Sequence, residues 1–89
     1  MAWSVEFDPL ARKELSKLGS IQAKRILTFL FERVARLEDP RDMGEALKGS
    51  RFKSLWKYRV GSYRVIASIE ENITRILVVK IGDRKEVYR

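Results

Sequence analysis

The sequence contains neither cysteine nor histidine. The absence of cysteine excludes disulfides and thiolate chemistry, and without histidine a zinc site would have only carboxylates as ligands. No apolar run approaches the roughly 20 residues that a membrane-spanning helix needs. The first residues, MAWSVEFDPL, also lack the basic segment followed by a long apolar one that marks a secretion signal. We therefore expect a soluble, cytoplasmic protein with no metal, no cofactor and no membrane partner.

The chain has 89 residues. This length suffices for one hydrophobic core and is too short to be divided into two. There is no internal repeat, low-complexity segment or linker in the sequence. We therefore expect residues 1–89 to form a single domain that carries the whole function.

The net charge of +7 comes from the second half of the chain. Residues 1–47 hold eight basic and eight acidic side chains, whereas residues 48–89 hold eleven basic and four acidic. The stretch from Lys48 to Ile69 has no acidic residue. Its basic residues are Lys48, Arg51, Lys53, Lys57, Arg59 and Arg64. Such a run is typical of a surface that binds a polyanion such as RNA, and a merely solvated basic surface accounts for it about equally well.

The first half of the chain predicts a strand followed by a helix. Residues 2–7, AWSVEF, alternate between apolar and polar side chains as a strand does. Asp8 and Pro9 then supply an N-cap and a proline for the first helical turn. Gly19 is placed to end this helix at its C-terminus.

A second, longer helix is predicted from Ser20, which would cap it, to a point before Pro40. Its apolar stripe consists of Ala23, Ile26, Leu27, Leu30, Val34 and Leu37. Phe29 and Phe31 lie beside the stripe, where they could belong to the core or to a partner surface, and the core position is favoured. The two helices form a hairpin with one buried face.

The second half of the chain predicts an antiparallel sheet. Residues 39–54 show no clean period and are predicted to be a long connecting loop. The three strands that follow are Leu55 to Val60, Tyr63 to Ile69 and Ile73 to Ile81. Short turns at Gly61-Ser62 and Glu71-Asn72 separate them. The expected fold is α+β: an N-terminal strand, a two-helix hairpin and a three-stranded antiparallel meander, with the helices packed on one sheet face.

The hairpin LWKYRVGSYRVI has one apolar and one cationic face. The apolar face consists of Trp56, Tyr58, Val60, Val65, Ala67 and Ile69. A two-residue turn at Gly61-Ser62 would pair Arg59 with Arg64, and Lys57 would lie on the same face. Like charges that face each other across strands are destabilising. The arrangement therefore needs a bound anion such as phosphate, or screening by solvent around splayed side chains.

The segments FDPLARKELSKLG, ALKGS, LWKYRVGSYRVI and VVKIGDRKEVYR together resemble the RelE/ParE superfamily of bacterial and archaeal toxins. The resemblance covers nearly the whole chain and implies the RelE-like microbial RNase fold. It also implies a toxin that cleaves mRNA in the ribosomal A site as a ribosome-dependent, metal-independent endoribonuclease and so inhibits translation. The implied partners are a RelB-like antitoxin, the 70S ribosome with its 16S rRNA, and mRNA.

The resemblance assigns catalytic roles to Lys57, Arg59, Arg64, Arg84 and Tyr88. From the chemistry of these side chains, we expect Tyr88 to be the general base, Arg64 to bind phosphate, and Arg84 to donate a proton or give electrostatic support. We expect Gly82 to bend the chain so that Arg84 and Tyr88 turn back toward the cationic face. The further RNA- and phosphate-binding residues are expected to be Lys48, Arg51 and Lys53. Asp83 stands where the family often has a basic residue.

Two other activities are compatible with the same fold. One is the ParE-type inhibition of DNA gyrase, and the other is non-catalytic binding of RNA or the ribosome. Fold cannot separate these activities. The combination of Lys57, Arg59, Arg84 and Tyr88 favours the nuclease, because it has no evident purpose in a gyrase binder.

Overall fold

The structure, a computed structural model, describes residues 3–47 and 55–83. Its helices are α1 (Pro9–Ser16) and α2 (Ser20–Thr28), and α2 continues as a π-helical segment (Phe29–Val34). Its strands are β1 (Ser4–Phe7), β2 (Glu45–Ala46), β3 (Leu55–Val60), β4 (Tyr63–Glu70) and β5 (Arg75–Asp83). Short 3-10 turns occupy Pro40–Met43 and Glu71–Ile73. Within these ranges no helix is long and apolar enough to cross a membrane.

The strands form one sheet in the order β1-β5-β4-β3-β2. Strand β1 runs parallel to β5, and the other neighbours are antiparallel. The predicted α+β class and the β3-β4-β5 meander are confirmed. The prediction of a loop throughout residues 39–54 is wrong, because β2 pairs with β3. A strand of two residues is too short to show the period of two by which strands are recognised.

The start of α1 follows the predicted capping pattern. The backbone N–H of Ala11 donates to Asp8 Oδ1 at 2.9 Å, and proline occupies the first helical position. The start of α2 differs from the prediction that Ser20 caps it. Ser20 is already helical, and Gly19 takes the capping position with a φ of 86°, a left-handed value that glycine adopts readily.

The two helices bury one face of the sheet. The core consists of Ala11, Ile26, Leu30, Val34, Ala35, Tyr58, Val60, Val65, Ala67, Ile69, Ile76, Val78 and Ile81. Phe29 packs against this core and meets the Tyr58 ring edge-on, with the centroids 6.2 Å apart. The core position predicted for Phe31 is wrong, because this residue is 47% exposed. The helical segment also ends at Val34, before the predicted Leu37.

A β-bulge in β5 decides which of its side chains reach the core. The pairing with β4 shifts by one residue at Val79, which is left over in the register. Val78 and Ile81 are therefore both buried although they lie three residues apart. Strict alternation from Val78 would have turned Lys80 inward. The bulge thus keeps a lysine out of the core.

Tyr58 ties β3 to the segment before β2. Its side chain is buried, and its hydroxyl donates to the carbonyl oxygen of Pro40 at 2.7 Å. A Cβ atom on Gly44 would lie 2.9 Å from the Tyr58 ring, so only glycine fits there. Burial raises the pKa of Tyr58 to about 12; the Arg41 guanidinium opposes this increase and the Asp39 carboxylate adds to it. This tyrosine is a structural residue held in its neutral form.

Tyr58→Phe is expected to lower the free energy of unfolding by about 1–2 kcal/mol near pH 8, because the Pro40 carbonyl loses its buried donor. The folded pKa of about 12 lies above the ordinary value of about 10. The contribution of the hydroxyl is therefore fully present below about pH 10 and is lost as the pH rises toward 12. The cost of the substitution should shrink by about 2 kcal/mol over this interval.

Urea denaturation of the parental chain and of Tyr58→Phe, from neutral pH to about pH 12, measures the difference between their free energies of unfolding. Other titrating groups affect both proteins alike, so the comparison isolates Tyr58. A constant difference between the two unfolding curves across the alkaline range would contradict the assignment.

Candidate functional site

The hairpin between β3 and β4 fixes the positions of two arginines. Gly61 and Ser62 form its two-residue connection, and Gly61 has a φ of 61°, as the first central position of a type II′ turn requires. Arg59 consequently pairs with Arg64 directly across the strands. The predicted register is confirmed.

Lys57, Arg59 and Arg64 form a group that we call the cationic triad. Tyr58 and Val60, which alternate with the first two along β3, are buried under the helices. Since neighbouring residues of a strand point to opposite faces, the triad belongs to the sheet face away from the helices. The sequence-based assignment of an apolar and a cationic face is therefore correct for this hairpin.

The members of the triad differ in exposure. Arg59 is exposed and the Lys57 side chain is 21% exposed, whereas Arg64 as a residue is only 3% exposed. The alternative in which the arginine side chains extend into solvent therefore does not hold for Arg64. Arg64 Nη1 lies 3.4 Å from the carbonyl oxygen of Tyr63, and in the described ranges every buried side-chain nitrogen or oxygen has a hydrogen-bond partner. Burial fixes this guanidinium and weakens its screening by water.

Two carboxylates lie near the triad in the sheet, and one of them shares its face. Strand β2 places Glu45 opposite Lys57, with 3.9 Å between Glu45 Oε2 and Lys57 Nζ. Asp83 pairs with Tyr63 at the end of β5. The sequence analysis missed Glu45, because β2 lay inside the predicted loop and a two-residue strand leaves no periodic signal. Glu45 lies on the triad's face and reduces its positive potential, whereas Asp83 shares the helix-covered face with its partner Tyr63, which packs against the core.

The end of β5 departs from prediction at Gly82. Instead of bending the chain, Gly82 continues the strand and pairs with Arg64. The β4-β5 ladder extends through Asp83, and its pairing holds the glycine in extended conformation. The candidate residues outside the described ranges are Lys48, Arg51, Lys53, Arg84 and Tyr88.

The arrangement is suited to binding phosphate groups. Arginine presents a planar fork of donors that can form paired hydrogen bonds to phosphate, and lysine adds a compact charge. In the described part of the chain, no three acidic side chains lie close enough to hold a metal ion. The triad can therefore bind an anion and offset negative charge that develops on it.

The sequence is similar to those of known toxins. A family model described as the ParE toxin of type II toxin–antitoxin system parDE matches residues 5–88. The mRNA interferase toxin RelE of Escherichia coli is 32% identical over 90 residues, which span 99% of this chain and 92% of that protein. Toxin RelG of Mycobacterium tuberculosis is 26% identical over 89 residues, spanning 100% of this chain and 99% of that protein.

Solved structures share the fold. The RelBE2 toxin–antitoxin complex of Mycobacterium tuberculosis contains a chain that superposes with a TM-score of 0.84 at 24% identity, covering 94% of this chain and 93% of that one. The intact RelBE toxin–antitoxin complex of Escherichia coli gives a TM-score of 0.72 at 27% identity, covering 92% and 96%. The two helices on a five-stranded sheet are thus the fold of these toxins.

The charges around the triad predict opposite effects on the binding of a polyanion. Arg59→Gln should weaken the binding of a single-stranded RNA oligonucleotide and reduce the slope of log K against log salt by about 0.7. Glu45→Gln should strengthen binding by up to about fivefold, a modest effect because Glu45 is 79% exposed. Fluorescence anisotropy at several salt concentrations measures both effects.

Arg33→Gln is the matched control, since it removes an exposed cation from the helical layer. This variant should bind the oligonucleotide like the parental chain. Equal losses of affinity in Arg33→Gln and Arg59→Gln would mean that binding follows net charge and not the triad.

Proposed function

The chain belongs to the RelE/ParE superfamily of toxins of type II toxin–antitoxin systems, and we propose that it acts as a ribosome-dependent endoribonuclease. In this proposal it cleaves mRNA in the ribosomal A site without a metal ion and thereby stops translation. The observation that carries the proposal is the hairpin register, in which Arg59 lies directly opposite Arg64 on the sheet face away from the helices.

The triad has the properties that phosphate chemistry needs. A buried, fixed guanidinium stabilises developing charge better than a mobile one, because it needs no reorganisation during the reaction. Arg64 meets this condition with its 3% exposure. Lys57 and Arg59 add charge from the neighbouring strand. We assign Arg64 to the phosphate in the transition state and the other two to its support.

The proposed reaction is an internal transfer of the phosphoryl group. The ribose 2′-oxygen attacks the adjacent phosphorus, and the bond from phosphorus to the 5′-oxygen breaks as the new bond forms. One group accepts the 2′-hydroxyl proton and another supplies a proton to the leaving 5′-oxygen. The products are a 2′,3′-cyclic phosphate and a 5′-hydroxyl, with no change in oxidation state.

Tyr88 is proposed as the base and Arg84 as the proton donor or as electrostatic support. A tyrosine has an ordinary pKa of about 10, and lowering it by about three units requires about 4 kcal/mol of preferential stabilisation of the phenolate. A cation at about 4 Å supplies a comparable energy at an effective dielectric constant near 20. One cation at this distance from the Tyr88 hydroxyl would therefore suffice to make it a base.

Dependence on the ribosome has a physical rationale. A few phosphate contacts orient a flexible RNA strand poorly, and orientation contributes much of the rate of such reactions. The described structure has a cavity of about 550 Å³ around Arg41, Ser68 and Glu71, but it lies at the other end of β4 and so does not adjoin Arg64. We propose that the ribosome holds the mRNA against the triad, and that Lys48, Arg51 and Lys53 extend the contact along the backbone.

The proposed regulator is a RelB-like antitoxin. The solved Escherichia coli and Pyrococcus horikoshii relatives are complexes of RelE with RelB. An acidic or amphipathic segment would suit this chain, because its net charge of +7 comes from the half that contains the triad. Such a segment would neutralise the triad and exclude RNA.

A second candidate activity is the inhibition of DNA gyrase. The matched family model is named for ParE, and this name is the observation that favours it. Gyrase binding would not require the triad to contact phosphate. An assay with both targets therefore separates the two activities.

The nuclease predicts a cut in mRNA at the A-site codon of a ribosome whose A site is vacant. Tyr88→Phe should slow this cut by about 10²–10⁴-fold if the hydroxyl is the base. Arg64→Gln should slow it by about 10²–10³-fold through the loss of transition-state stabilisation. Primer extension locates the cut, and analysis of its ends should show a cyclic phosphate.

Arg33→Gln, on the helical layer, should cleave at the parental rate. A parental rate in Tyr88→Phe would remove the base role from Tyr88. The absence of any cut by the folded parental chain, together with inhibition of gyrase supercoiling, would contradict the nuclease and favour the second candidate.

A further inference from the structure

A carboxylate occupies the apolar side of α1. Ala11, Leu15 and Leu18 follow one another at helical spacing and face the core. Glu14 lies three residues after Ala11 and one before Leu15, so it belongs to the same side of the helix. Its side chain is only 23% exposed. A leucine would extend the stripe here, and the presence of glutamate calls for a polar partner.

The partners of Glu14 lie on β5. The backbone N–H of Ile81 donates to Glu14 Oε1 at 2.8 Å, and Lys80 Nζ lies 3.4 Å from Glu14 Oε2. The pairing of β1 with β5 ends with Phe7 opposite Val78. Beyond Val78, helix α1 and not β1 therefore lies along this edge of β5. The Glu14 carboxylate accepts the hydrogen bond of the Ile81 N–H there.

The segment that Glu14 holds lies beside the triad. Ile81 is followed by Gly82, which pairs with Arg64 on the other edge of β5, and Arg84 follows two residues later in the sequence. The bulge at Val79 interrupts the ladder just before this segment. Beyond the bulge, four residue pairs join the strand end to β4, and the contact with Glu14 adds an attachment on its other edge.

We propose that Glu14 is a positioning residue for RNA cleavage: through the Ile81 N–H it fixes the end of β5, where Gly82 pairs with Arg64, and so aligns Arg64. The inference rests on the proposed nuclease function. Glu14 touches neither RNA nor the triad in this assignment, and it acts through the backbone of Ile81. Its removal should therefore lower the rate of the chemical step and leave binding unchanged.

The experiment compares the parental chain with Glu14→Leu, Glu14→Gln and the control Lys13→Leu, which places a leucine at an exposed position of α1. Leucine continues the apolar stripe but accepts no hydrogen bond, whereas glutamine keeps an oxygen for the Ile81 N–H. The cleavage rate at saturating ribosome-bound mRNA should fall by about 10- to 100-fold in Glu14→Leu. The ribosome concentration for half-maximal rate should not change.

Glu14→Gln should retain the parental rate within about fivefold, since it loses only the partly exposed ion pair with Lys80. Hydrogen exchange of the Ile81 amide, measured on the protein alone, should accelerate at least about tenfold in Glu14→Leu and stay slow in Glu14→Gln. Lys13→Leu should match the parental chain in both measurements.

Unchanged exchange at Ile81 in Glu14→Leu would show that Glu14 does not hold the strand end, and would overturn the inference. Faster exchange with a parental cleavage rate would overturn the positioning role as well. Equal losses of rate in Glu14→Gln and Glu14→Leu would mean that the charge of Glu14, and not its backbone hydrogen bond, supports the cleavage rate. This result would also overturn the inference. If the parental chain makes no cut, the proposed function is refuted and the positioning role with it. The exchange of the Ile81 amide then still shows whether Glu14 holds the end of β5.

Discussion

The helices cover one face of the sheet, and the side chains along each strand alternate between that face and the other. In the hairpin this constraint buries Tyr58 and Val60 and leaves Lys57 and Arg59 on the opposite side. The two-residue turn adds Arg64 from β4. The cationic triad is thus a consequence of how the core is built, and the bulge in β5 serves the same separation.

Three carboxylates near this basic surface differ in what they can do, because they differ in exposure and partner. Glu45 is largely solvated beside Lys57, and its effect on the triad is weak and sensitive to salt. Asp83 ends the ladder opposite Tyr63, on the face that the helices cover, so the sheet separates it from the triad. Glu14 is mostly enclosed and accepts a backbone hydrogen bond, so its effect is geometric. The electrostatic and mechanical contributions to one surface are therefore carried by different residues.

Much of this architecture could be predicted because the responsible rules are local. Asp8 caps α1 through a contact three residues along the chain, and the Gly61-Ser62 turn sets its own register. The errors concern features without a local signal. Phe31 is next to a buried residue yet exposed, and Gly82, which could have bent the chain, is kept extended by its pairing with β4.

By itself, the sequence determined the kinds and order of the elements apart from β2, the two faces of the hairpin and the pairing of Arg59 with Arg64, because periodicity and turn length act between residues close in the chain. Only the tertiary structure decided that Arg64 is buried, that Glu45 meets Lys57 and that Glu14 reaches the Ile81 N–H. The contact between Glu45 and Lys57 and the contact between Glu14 and Ile81 each join two different elements of the fold. Their existence depends on the order of strands in the sheet and on where β1 ends, and no local pattern records either.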